Sequence, residues 1–170
     1  HQDVVIGDFN NDGYNDVANT ATNNGTSNYV GIFLNNGDGT LATRVDYNVG
    51  DGHHSIVTSD IDHDGYLDLV TANENASSIS VVTNKQDGTF STSVDYQTLA
   101  GPPSLAAGDL NNDGYEDITT AGYFSNSVTV LLQGKYGNSV QGDLMIAGNF
   151  LPSFDDIFSL GATSSARFKD

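Results

Sequence analysis

The sequence predicts an all-β chain of consecutive four-stranded antiparallel units, the blades of a propeller-type array. Three observations predict it. An acidic loop recurs at Asp8, Asp60 and Asp109, at spacings of 52 and 49 residues. Apolar residues alternate with polar ones at a period of two, as in Ile79-Ser80-Val81-Val82, and no stretch shows a helical period. Val, Ile, Thr, Tyr and Phe fill those runs, and 19 Gly together with Asn and Asp punctuate them. A four-stranded unit repeated about every 50 residues is the pattern of a propeller blade.

The repeat defines the elements. The loops read GDFNNDGYNDV from Gly7, SDIDHDGYLDL from Ser59 and GDLNNDGYEDI from Gly108. One strand is expected before each loop and one after it. A third ends at a turn in VGIFLNNGDGT from Val30, ISVVTNKQDGT from Ile79 and VTVLLQGKYGN from Val128. A fourth follows that turn, at Val45-Asp46-Tyr47 and Val94-Asp95-Tyr96. The expected units are 1–52, 53–101 and 102–141. Residues 142–170 are expected to form a degenerate fourth blade or a cap. There, Ile146-Ala147-Gly148-Asn149-Phe150 resembles the opening of a unit, and Leu151-Pro152-Ser153-Phe154 stands where the acids would be.

Charge narrows the function. The chain has 22 Asp plus Glu against five Lys plus Arg, a net charge of −17. Such a surface repels nucleic acid and anionic lipid. No apolar run is long enough for a spanning helix, so no membrane insertion is expected. The chain lacks Cys, so it has no disulfide staple, and metal is an alternative one. The start at His1, with no Met, is read as a processed or excerpted part of a longer polypeptide.

The acidic loops have the chemistry of a calcium site. Calcium takes six to eight hard oxygens, and positions 1, 3, 5 and 9 of each loop offer side-chain oxygens while position 7 offers a carbonyl. The first set is Asp8, Asn10, Asp12 and Asp16 with the Tyr14 carbonyl. The second is Asp60, Asp62, Asp64 and Asp68 with Tyr66, and the third is Asp109, Asn111, Asp113 and Asp117 with Tyr115. About three Ca2+ ions are therefore expected, one per loop. Carboxylates crowded this closely repel one another unless a cation sits among them. An EF-hand is excluded, because Asn19, Thr71 and Thr120 occupy its twelfth position and the flanks are strands.

Other chemistry finds less support. The four His are not spaced to converge on zinc, and no nucleophile elbow is present, so no catalytic residue is expected. The recurring loop Tyr reads as core or inter-blade packing, ahead of a sugar-stacking platform, which the absence of Trp disfavours. Two N-x-[ST] sequons, at Asn24 and Asn75, fall at equivalent turns between second and third strands and are candidate glycosylation sites.

The loops together with NNGDGT and NKQDGTF resemble FG-GAP/VCBS repeats, the calcium-loop blades also found in integrin α-subunit propellers. The resemblance covers roughly residues 1–137. It implies a propeller with calcium in the loop joining the first two strands of each blade, in a protein outside the cell or at its surface. A closed ring of that family has about seven blades, so here blade faces stay open for the rest of the ring or for another copy. The first expectation is a non-catalytic structural or adhesion module, self-assembling through open blade faces as a homo-oligomer or filament, with a protein or glycan partner at the cell surface or matrix. The alternatives are a calcium-dependent carbohydrate-binding lectin and an accessory domain of a secreted enzyme.

Overall fold

The computed structural model describes residues 2–23, 26–98, 101–123, 127–134 and 145–150. Among these there are twelve strands and no helix. The first sheet holds β1 (Val4–Gly7), β2 (Asp16–Asn23), β3 (Thr26–Phe33) and β4 (Val45–Asn48). The second holds β5 (His53–Ser59), β6 (Asp68–Asn73), β7 (Ser78–Val82) and β8 (Val94–Gln97). The third holds β9 (Ser104–Gly108), β10 (Asp117–Gly122), β11 (Ser127–Leu132) and β12 (Met145–Phe150). In every sheet the strands lie side by side in chain order, each antiparallel to its neighbour.

The register repeats with the sequence. Ile6 faces Val17, Thr58 faces Leu69 and Ala107 faces Ile118 across the first pair of strands. Val17, Leu69 and Ile118 then face Phe33, Val82 and Leu131 across the second. The innermost strands β1, β5 and β9 lie against one another in that order, as blades do around a common axis.

The core lies between blades. One cluster joins Phe9, Ala18, Val30 and Ile32 of the first blade to Ile56, Leu69, Val82 and Phe90 of the second. Another joins Ile61, Val70, Ile79 and Val81 of the second to Ile118 and Leu131 of the third. Burying each such side chain contributes about 1.5–3 kcal/mol. A single blade has a face on each side and cannot cover either alone, which is why the repeats stack.

One expectation is corrected. Met145–Phe150 does not open a fourth unit; it pairs with β11 and completes the third sheet. The third blade therefore runs past residue 141, and 151–170 lie outside the described residues. The reason is geometric. β11 offers an unpaired edge, and a connection of 12 residues (133–144) brings the chain back to it, against 11 in each of the first two blades.

Candidate metal centre

Each acidic loop is a compact turn between the first two strands of its blade. The residue at position 1 accepts two backbone N–H groups. Asp8 takes Asp12 N at 3.1 Å and Gly13 N at 2.8 Å; Asp60 takes Asp64 N and Gly65 N, both at 3.0 Å; Asp109 takes Asp113 N at 3.2 Å and Gly114 N at 3.0 Å. Position 5 accepts the N–H of the following Tyr, at 2.8 Å for Asp12, 2.9 Å for Asp64 and 3.0 Å for Asp113. Two residues per loop are left-handed. Gly13, Gly65 and Gly114 have φ near 90°, and Asn11, His63 and Asn112 at position 4 have φ of 56°, 57° and 59°. Asn and His tolerate that region better than most residues, so position 4 is a conformational choice and not a ligand.

Position 9 fastens the loop to the rest of the blade. Asp16, Asp68 and Asp117 are all fully buried. One oxygen of each accepts the N–H of loop position 2: Phe9 at 2.9 Å, Ile61 at 2.8 Å and Leu110 at 2.9 Å. The other accepts an N–H just beyond the third strand: Asn35 at 2.7 Å, Asn84 at 2.8 Å and Gln133 at 2.9 Å. The aspartate that closes the acidic loop thus also ties it to the hairpin that follows. In that hairpin Asp38 and Asp87 each accept both the N–H and the hydroxyl of Thr40 or Thr89, which holds their carboxyls below the usual range.

The second loop gathers the most charge. Ligand oxygens of Asp60, Asp62 and Asp68 lie within 4.8 Å of one another, the one such acidic group of three among the described residues. Burial pushes the Asp68 carboxyl up to about 7, reinforced by the charges of Asp62 and Asp64. Burial and the neighbouring Asp64 and Asp60 charges also raise Asp62. The ion pairs Arg44–Asp46 and His54–Glu74 lie elsewhere. Asp64 stays beside Asp62, and Gln86 Nε2 donates to its Oδ2 at 3.0 Å. In the first and third loops Asn replaces the acid at position 3. Asn10 and Asn111 donate to Asp12 and Asp113, at 2.9 and 3.1 Å.

The hairpins carry residues that the sequence reading missed. Asn84 Nδ2 donates to its own blade at Leu67 O, 3.1 Å, and across the interface to Phe9 O, 2.7 Å. Gln133 Nε2 donates likewise across the next interface, to Ile61 O. The signal was an amide side chain at one repeat position, Asn35, Asn84 and Gln133. Of the loop tyrosines, Tyr115 lies on His63 of the preceding blade's loop, with ring centroids 4.1 Å apart, while Tyr14, half exposed, lies against Gly37 of its own blade. Asn75 sits exposed in the turn between β6 and β7, its amide 3.4 Å from Asp51. Asn24 lies outside the described residues.

Comparison with known families agrees with this architecture. The FG-GAP-like repeat profile matches residues 8–71 and again 60–120, and the FG-GAP repeat profile matches 101–140. The chain belongs to the FG-GAP repeat family. Each match to the FG-GAP-like profile runs from the acidic loop of one blade into that of the next. A comparison with curated proteins returned no match.

Proposed function

We propose that this FG-GAP repeat chain is a non-catalytic, calcium-stabilised structural module that works outside the cell, in adhesion or matrix assembly, through its blade faces. The observation that carries the calcium reading is the convergence of Asp60, Asp62 and Asp68 within 4.8 Å, with the last of them buried. Three acids held this close favour a cation among them. The donors are all hard oxygens, with no sulfur or imidazole in the group, which fits Ca2+ better than a transition metal. Asp8, Asn10, Asp12 and Asp16, and Asp109, Asn111, Asp113 and Asp117, would hold ions at the corresponding corners, with the Tyr14, Tyr66 and Tyr115 carbonyls. The ion supplies countercharge where the blade turns, and the chain supplies the shape.

Sites of this class outside cells bind at about 0.1–1 mM, which keeps them filled. A filled site stiffens the turn, and the buried aspartates Asp16, Asp68 and Asp117 carry that stiffness into the blade. Melting in calcium and in chelator tests the reading. A midpoint raised by calcium is expected; an unchanged midpoint sinks it.

A further inference from the structure

A buried hydrogen-bond relay runs through all three acidic loops. It starts at Asp16, position 9 of the first loop, which accepts the N–H of Phe9 at 2.9 Å. The carbonyl of Phe9 accepts from Asn84 Nδ2 of the second blade at 2.7 Å. The backbone N–H of Asn84 donates in turn to Asp68, position 9 of the second loop, at 2.8 Å. The other oxygen of Asp68 accepts the N–H of Ile61 at 2.8 Å. The carbonyl of Ile61 accepts from Gln133 Nε2 of the third blade. The N–H of Gln133 donates to Asp117, position 9 of the third loop, at 2.9 Å. All seven residues but Phe9 and Ile61 are polar, and all seven are buried. Both crossings, Asn84 to Phe9 and Gln133 to Ile61, lie at interfaces inside the chain.

We infer that this relay couples the loops, so that a cation bound in one favours binding in the next. The inference rests on the reading of the acidic loops as calcium sites, and it names what regulates them: one another. Phe9 stands between Asp8 and Asn10, and Ile61 between Asp60 and Asp62, which are positions 1 and 3 of their loops. A crossing amide that grips the carbonyl of Phe9 or Ile61 therefore fixes the backbone that carries those donors. The residue that supplies the amide is itself held, through its N–H, by the aspartate that closes its own loop. Asp68 fixed in a filled site fixes Asn84, and Asn84 fixes the first loop. Asp16 acts in the reverse direction, because coupling is reciprocal. Order already imposed on a loop is order that its own ion need not impose. In a buried setting each bond of such a row also polarises the next. Direct electrostatics has the opposite sign: an ion in one loop weakens the field that draws a cation into its neighbour. Binding steeper than that of independent sites thus reports the relay.

Calcium titration of the 170-residue chain, read by equilibrium dialysis and by tyrosine fluorescence, is the test. A Hill coefficient above 1 is expected. Coupling of about tenfold at each crossing, inside the usual range for linked sites, gives about 1.8 for three similar sites. Asn84→Leu and Gln133→Met remove the crossing amides while every carboxylate and both backbone N–H groups remain. Together they leave the number of bound ions unchanged and bring the coefficient down to 1 or below. Gln133→Met alone keeps the first crossing and lowers the coefficient part-way, which serves should the double variant melt early. Amides with a merely structural role would lower the melting midpoint on removal and leave the coefficient alone. A native coefficient of 1 or below overturns the inference, as does one that the variants do not change. Either result leaves calcium binding standing, whereas no bound ion at millimolar calcium removes the calcium reading and the inference with it.

Discussion

Phe90→Ala is the substitution that most sharply tests blade stacking. Phe90 is 2% exposed, and its ring meets Phe9 edge-on at 5.7 Å and Tyr47 at 5.5 Å. Phe9 and Tyr47 belong to the first blade, so the residue is an anchor between blades. Truncating a buried Phe costs about 3–5 kcal/mol in transfer and cavity terms. For a chain of this size that lowers the melting midpoint by roughly 6–20 °C. Leu41→Ala is the internal control, because Leu41 occupies the same repeat position at 45% exposure. Its cost should stay within about 0.5 kcal/mol. Both are measured by urea unfolding with circular dichroism. A Phe90→Ala cost within about 1 kcal/mol of the Leu41→Ala cost would refute the stacking.

Three further outcomes follow from the same geometry. Asp68 has a folded carboxyl raised from 3.8 to about 7, so between those values the folded chain holds a proton that the unfolded chain has lost. Stability without metal is therefore full at low pH and lost as pH rises through about 7. In chelator the midpoint should be higher at pH 5.5 than at pH 8, and Asp68→Asn should flatten the difference. Gly65 has φ of 90° with open space where a Cβ would stand, so Gly65→Ala costs conformational strain alone, about 1–3 kcal/mol, seen as a lower midpoint. Asn75, exposed in its turn, should carry a glycan when the chain passes through a eukaryotic secretory pathway. A mass unchanged by Asn75→Gln in that host would count against it.

The local features were legible in the sequence because they are local. The strands, loops and hairpin turns rest on alternation, on Gly at position 6 and on the D-G-T turn, and the structure places each accordingly. Features requiring two blades at once were not legible. Nothing in loop position 2 tells by itself that Phe9 and Ile61 are buried against the next blade. Asn84 and Gln133 read as turn residues until their side chains are seen crossing to Phe9 and Ile61. As sequence, Asp68 is a ligand alone; its second task of joining two backbone amides depends on where the hairpin folds. The strand at Met145–Phe150 is hard to place from sequence because its residues do not match Val45-Asp46-Tyr47. The spacing after β11, one residue longer than after β3 and β7, was the better guide.

Calcium at the blade corners is the central claim, and equilibrium dialysis with radioactive calcium tests it most directly. About three ions per chain are predicted, one for each acidic loop. The count should fall by one when Asp60 and Asp62 are both changed to Asn. No bound ion at millimolar calcium, or a count untouched by that double change, would contradict the account.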